Sequence, residues 1–239
     1  MEKKKVTAEK FVKDQIKKWE KLYAGRGKIE EARIPVITVS KAPGAGGNIL
    51  AQQVAERLDL DLFNRDIIKE IAESAKISAS VIETLEKERL SGVEDFISSL
   101  VNKHYLYPGL YLEHLMKVVC TIAEHGRAVI VGRGTNFILH PKKRFSVRMV
   151  APLDVRIQNI SRRFDVSAEE AKRRIIRRES RRSAFVRQSF NADISDPIHY
   201  DLTINTGNMS MASAVEAVIS AVMVTLDDSS LNRKTSRWL

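Results

Sequence analysis

Short β-branched runs alternate along this chain with stretches in which apolar residues return every three or four positions, the spacings of buried strands and of helices with one buried face. The first stripe, Val12, Ile16, Trp19 and Tyr23, predicts a helix over Thr7 to Tyr23 with lysines on its other faces, ending near Gly25 and Gly27. Ile34 to Val39 then reads as a strand, and Leu50, Val54 and Leu58 as one face of a helix opening at about Asn48. Leu60 to Phe63 predicts a short second strand, and Ile67, Ile68, Ile71 and Ala75 the next helix. More helices follow to about His125, through the aromatic-rich stretch Asn102 to Leu112 with its break at Pro108-Gly109. Ala128 to Val131 and Phe145 to Val150 are strands, closed by Gly132-Arg133-Gly134 and by Pro152. Ser167 with Glu170 three residues on is a capping box at the start of an arginine-rich helix. Leu202 to Ile204 is a last strand, and Val215, Val218, Ile219 and Met223 stripe a closing helix. This alternation predicts an α/β fold, a parallel sheet with helices on both faces.

The 239 residues suit one sizeable α/β domain with appendages, and 44% hydrophobic with 29% charged residues is ordinary globular composition. No run approaches the roughly eighteen apolar residues of a membrane span, and the Lys-rich start leads into charged helix rather than an apolar signal core. A cytoplasmic protein is expected. The lone Cys120 can form no intramolecular disulfide and reads as a buried, inert thiol. His104, His114, His125, His140 and His199 lack metal-ligand spacing, so no structural metal is expected.

The net charge of +10 is unevenly spread. Lys142 to Arg187 holds fifteen Lys or Arg against five Asp or Glu, the first thirty residues ten against five, and the rest is net acidic. Such a block suits an anionic partner, and equally a solvated helix face. Nucleic acid ranks last among such partners, because no stacking aromatics or groove-reading motif accompany the arginines.

Between the first strand and its helix lies Ser40-Lys41-Ala42-Pro43-Gly44-Ala45-Gly46-Gly47-Asn48. Against the phosphate-binding pattern G-x-x-x-x-G-K-[ST] one fixed position of four matches, Gly46; Gly47 stands where lysine belongs and Asn48 where the Mg²⁺-binding hydroxyl belongs. The context is still that of a phosphate cradle: backbone N–H groups at a helix start, with glycines that allow close approach. Lys41, at the loop's start, is the candidate substitute for the absent lysine, and a lid arginine is the alternative.

In this order the parts resemble the nucleoside monophosphate kinases, specifically the cytidylate kinase-like family of P-loop proteins. The resemblance covers roughly Ile34 to Leu226. It is carried by Ser40 to Asn48, Asn64-Arg65-Asp66-Ile67-Ile68, Val131-Gly132-Arg133-Gly134-Thr135-Asn136, Arg177 to Arg187, and Asp196-Pro197-Ile198-His199-Tyr200-Asp201 leading into Leu202 to Thr206.

That resemblance implies a three-layer P-loop NTPase fold over 31–228, with a helical insert at about 64–126 that grips a nucleoside monophosphate and an arginine-rich lid at about 167–197. Residues 1–30 would be a basic helical extension packing on the domain or on a partner chain, including a second copy, and 229–239 a flexible tail. Pro43, Gly44, Ala45, Gly46, Gly47 and Asn48 would hold the phosphates of ATP, with Asn48 offering a carbonyl oxygen to Mg²⁺. Asn64, where the family usually has Asp, and Arg133 would bind the acceptor. Lys41, Arg178 and Arg182 would be catalytic, and Arg177, Arg181 and Arg187 would belong to the lid. The implied activity is ATP-dependent phosphorylation of CMP or dCMP. The alternative is a catalytically weak or inactive nucleotide-binding regulatory module, because Gly47 replaces the P-loop lysine.

Overall fold

The computed structural model describes residues 7–24, 36–85, 87–104 and 109–231. The expected features at Gly25, Gly27, Ile34, Tyr105, Tyr107, Pro108 and beyond Leu231 lie outside them, as does the side chain of Tyr23.

Five strands, β1 (Val36–Lys41), β2 (Asp61–Phe63), β3 (Ala128–Val131), β4 (Arg144–Val150) and β5 (Leu202–Asn205), form one sheet in the order β2-β3-β1-β4-β5. Every neighbouring pair is parallel, with Val39 opposite Val131 on one side of β1 and Val147 on the other. A parallel sheet needs cover on both faces, and strand alternation divides the apolar side chains accordingly. Ile37, Val39, Val129, Val131 and Val147 point into a core under α2 (Gly47–Arg57) and the closing helix, while Val36, Ala128 and Ile130 point into a second core on the opposite face. Thr38, at the centre of β1, bonds Ser146 on β4 at 2.8 Å and so is satisfied although fully buried.

The second core is built by α1 (Ala8–Ala24), α3 (Arg65–Glu73), α4 (Ala75–Ile82), α5 (Lys87–His104), α6 (Leu110–His125) and the one-turn α7 (Thr135–Ile138). The apolar face of α1 is spent on its own domain: Val12 and Trp19 are buried, Phe11 meets Phe63 edge-on, and Trp19 stacks on His125 at 3.8 Å. Gln15 and Lys18 both reach the Asp61 carboxylate at the start of β2. Cys120 is buried in this core, and burial raises its thiol to about 12, as an inert thiol requires.

Three local expectations change. Ile67 to Ala75 is two helices, because Ser74 takes an extended backbone that ends α3 while its hydroxyl caps Ile77 N at the start of α4. The closing helix, Met211–Leu231, runs past residue 228, where the tail was expected to begin; it buries Val222 and leaves Met223 45% exposed. The capping box holds at Ser167, which accepts from Glu170 N at 3.2 Å and starts a single helix, Ala168–Phe190. In chain order that helix is α9, preceded by α8 (Leu153–Phe164), and the closing helix is α10. Among the described residues no helix is long and apolar enough to cross a membrane.

Candidate active site

The connection from β1 runs to β2 on one side and that from the neighbouring β3 runs to β4 on the other, so at their carboxyl ends the chain leaves in opposite directions, and the crevice so opened is where open α/β sheets bind ligands. Two cavities meet there. The larger, about 970 Å³, runs from Lys41 through Asn48 past Asn64 to Asp66, Asn159, Arg162 to Phe164, and Thr206 to Met211. The smaller, about 500 Å³, lies between the end of β1, the turn Gly132 to Phe137 and the inner face of α9. Lys41, Arg65, Arg178 and Arg182 line both, and all four are basic.

The loop after β1 has the form of a phosphate cradle. Gly44 and Gly46 hold φ of 88° and 76°, conformations open to glycine, and α2 begins at Gly47 with no side-chain cap on its first N–H groups. Helix α8 braces the loop: Asn159 Nδ2 donates to Gly44 O at 2.9 Å, and a Cβ on Gly44 would lie 2.7 Å from Arg156 O. A Cβ on Gly46 would strike Met211, so α10 seals the other flank.

The Lys41 side chain lies against the loop. A Cβ on Gly47 would fall 2.7 Å from Lys41 Cβ and 2.9 Å from its Cδ, so the lysine stem occupies the space above the glycine that stands at the usual lysine position. Burial, then the charges of Arg182, Arg65 and Arg163, pull its pKa down to about 7. Arg182 donates through Nη1 to Lys41 O at 2.6 Å. Its guanidinium is likewise lowered, to about 10, by burial and by Arg65, Arg148 and Arg178, and it remains a cation at neutral pH. So dense a set of cations without matching carboxylates is costly until an anion arrives.

The other expected residues divide. Arg178 and Arg181 line the smaller cavity with Arg182, whereas Arg177 and Arg187 are exposed and line neither cavity. Arg178 lies over the Phe164 ring at 5.6 Å, and Arg163 lies over the same ring at 5.6 Å. Glu179 pairs with Arg156 of α8 at 2.6 Å, and Arg173 and Arg174 go to Glu170. Arg133 has φ 57°, an uncommon conformation for a side-chain-bearing residue, and lines the smaller cavity. Asn64 lines the larger cavity instead, and its Oδ1 caps α3 by accepting from Asp66 N at 2.9 Å and Ile67 N at 3.0 Å. Among the described residues of the insert only Arg65 and Lys69, on α3, line the smaller cavity; the turn Gly132 to Phe137 and α9 supply most of its wall.

Asn48 is exposed on the first turn of α2 in the larger cavity, and Asp66 is the one carboxylate lining that cavity among the described residues. No group of three His, Cys, Asp or Glu that could cage a metal occurs among those residues. An amide oxygen and one exposed carboxylate fit Mg²⁺ that arrives on a nucleotide and keeps much of its water.

Sequence reasoning assigned no role to Arg65, Asn136, Asn159, Phe164 or Met211. Arg65 and Asn136 stand inside motifs already singled out, which was the available signal; the others are brought in by packing alone.

A parallel α/β sheet with a glycine loop running from β1 into α2 and a basic helix across its carboxyl edge defines the P-loop kinase fold. The chain matches the cytidylate kinase-like family over residues 36–208 and belongs to it. It is 25% identical over 190 residues to a cytidylate kinase of Methanocaldococcus jannaschii, covering 78% of this chain and 97% of that one. With a cytidylate kinase of Methanopyrus kandleri it shares 28% over 185 residues, covering 73% and 86%. In fold it is similar to an uncharacterized protein from Eubacterium ventriosum, with a TM-score of 0.65 at 18% identity, covering 80% of this chain and 99% of that one. A gluconokinase from Sinorhizobium meliloti gives a TM-score of 0.50 at 12% identity, covering 84% and 98%.

Proposed function

We propose that the protein is a cytoplasmic phosphotransferase that moves the γ-phosphoryl group of ATP to a nucleoside monophosphate, with CMP or dCMP as the acceptor. The observation that carries this reading is the junction of the two cavities, lined on both sides by Lys41, Arg65, Arg178 and Arg182. Phosphoryl transfer asks a protein mainly to align two anions and to surround the migrating group with fixed positive charge.

ATP lies in the larger cavity, its β- and γ-phosphates on the N–H groups of Gly44 to Asn48, and Lys41 stands in for the missing lysine from the end of β1. The acceptor's phosphate lies in the smaller cavity against Arg133. One of its oxygens attacks the γ-phosphorus, the bond to the β-bridging oxygen breaks, and ADP leaves with that electron pair. Arg178 and Arg182 face the equatorial oxygens between the two nucleotides. Asn48 and Asp66 would hold Mg²⁺ that arrives on the nucleotide, and the ion would supply further positive charge to the phosphates.

The test is ADP release with ATP and Mg²⁺ on adding each nucleoside monophosphate in turn. Turnover is expected with CMP and dCMP. Calorimetric binding of ATP without turnover of any acceptor would instead make this a nucleotide-binding regulatory module, the reading that Gly47 in the lysine position favours.

A further inference from the structure

Helix α9 carries Arg178, Arg181 and Arg182 to the cavities on a stretch that apolar packing holds only at its ends. Its buried residues are Ala171 and Ile175 on one side and Val186, Ser189 and Phe190 on the other; from 176 to 185 none is buried, and Phe185 is half-buried. The core it shares with α8 is small, Ile160 with Ala171 and Ile175, flanked by Ile157 and Val166. Among the described residues two side-chain hydrogen bonds join the stretch to other elements. One runs from Arg182 to Lys41 O, the other from Arg156 to Glu179.

Arg156 is anchored at three places. Its side chain, 11% exposed, donates from Nε to Ala151 O at 2.9 Å, where β4 ends, and from Nη1 to Glu179 Oε1 at 2.6 Å. Two donors of one planar group fixed to separate elements set direction as well as distance. Its backbone meets the phosphate loop. A Cβ on Gly44 would fall 2.7 Å from Arg156 O and 2.9 Å from its Cβ, and three residues on Asn159 Nδ2 donates to Gly44 O at 2.9 Å. Glu179, at the other end of the bond, is the one carboxylate of α9 beyond the first turn of that helix; it stands next to Arg178 and three residues before Arg182, whose lowered pKa its charge opposes.

We propose that Arg156 is a positioning residue for phosphoryl transfer: by holding Glu179 it sets the rotation of α9 against the phosphate loop, which keeps Arg178 and Arg182 facing the junction of the cavities. This rests on the kinase reading above. Arg156 lines neither cavity and acts through the arginines of α9. One turn of α8 carries both the contact to Gly44 and the bond to Glu179, so the loop that takes the donor's phosphates and the arginines that face the migrating group share one frame. Arginines turned away by about an ångström lose much of their hold on the transition state, while the loop still binds ATP. Loss of the pair therefore falls on kcat rather than on the KM for ATP.

The test uses the full chain with Arg156→Met, Glu179→Ala, the two together, and Glu179→Gln, which still offers an oxygen to Arg156. ADP release is measured with the preferred nucleoside monophosphate, and thermal unfolding in parallel. Arg156→Met and Glu179→Ala are each expected to lower kcat about tenfold to a hundredfold, the scale of a misplaced catalytic group, with the KM for ATP within about threefold of the parent. The double variant should lose no more than the worse single one, since the two residues act as a unit. Glu179→Gln should recover most of the turnover that Glu179→Ala loses. Equal losses in those two variants would overturn the proposal, because the charge of Glu179 rather than its bond to Arg156 would then matter. So would losses that multiply in the double variant, or a kcat in Glu179→Ala within about twofold of the parent. Glu179 is the more exposed partner, so its two variants decide the matter even if Arg156→Met melts below the assay temperature. A wild type that phosphorylates no nucleoside monophosphate overturns the kinase reading itself.

Discussion

Arg182 donates from Nη1 to the backbone oxygen of Lys41 at 2.6 Å, which ties the basic helix α9 to the residue whose side chain lies over the P-loop. Its charge is also the largest electrostatic contribution, after burial, to the lowered pKa of Lys41. Arg182→Gln should therefore raise the Lys41 pKa toward the ordinary lysine value and lower turnover about a hundredfold or more, the scale of losing a fixed donor at a migrating charge. Arg182→Lys should recover little, since a point charge lacks the guanidinium fork. Titration of Lys41 by NMR with steady-state kinetics checks both; an unmoved Lys41 pKa in Arg182→Gln would refute the coupling.

The depressed pKa of Lys41 sets a stability profile. Its value in the folded protein is about 7, against an ordinary lysine value of 10.5. Between those limits the unfolded chain binds more protons than the native one, so stability rises with pH across that window. Below about 7 the whole penalty of the buried ammonium is present, and above about 10.5 it is gone. Lys41→Met should thus melt higher than the parent at pH 6, with a lead that shrinks as pH rises toward 10, while losing phosphoryl transfer. Melting curves at several pH values decide it, and a lead independent of pH would refute it.

Nucleotide binding should reverse that shift, because a phosphate beside Lys41 favours the ammonium. Uptake of close to one proton is expected on ATP binding at pH 8, and much less at pH 6. Calorimetry in buffers of different ionisation enthalpy measures it directly, and equal uptake at the two pH values would argue against Lys41 as the phosphate's partner.

Local pattern made the sheet and the loop legible. Alternation in Val36 to Lys41 and in Ala128 to Val131 matches the division between the two cores, and Gly44 and Gly46 take the positive φ that a phosphate turn demands. What failed was decided by single polar atoms or by packing. The hydroxyl of Ser74 divides a stripe that periodicity reads as continuous, and a turn-by-turn drift along α10 buries Val222 rather than Met223. The site residues were legible by type rather than by place. Arg178, Arg181, Arg182 and Arg187 look alike in a basic run, and which of them face the cavity depends on how α9 rotates against α8.

The N-terminal helix is a packing element of the insert side. Trp19 is 4% exposed and stacks on His125 at the end of α6. Trp19→Ala should cost about 3 kcal/mol or more, the range for removing a large buried aromatic, in denaturant melts. Loss of under 1 kcal/mol would mean that α1 is only loosely held.

Gly47 and Lys41 share one space, so their substitutions should not add. Gly47→Ala is favourable for helix propensity at the start of α2, yet its Cβ would sit 2.7 Å from Lys41 Cβ. It should lower ATP affinity about tenfold with little loss of stability, because what it displaces is the lysine stem. Gly47→Lys alone should be worse, with two ammonium groups competing for one place among Arg65, Arg163 and Arg182. Lys41→Ala alone should lose turnover. The double variant Lys41→Ala with Gly47→Lys moves the cation to the start of the helix and clears the space for it, so it should recover activity relative to either single change. The expected coupling is about 1–3 kcal/mol, as for groups in direct contact. Purely additive losses in the four-member cycle would show that Lys41 and the P-loop position are independent, and the cation beside the migrating phosphoryl group would then have to come from α9.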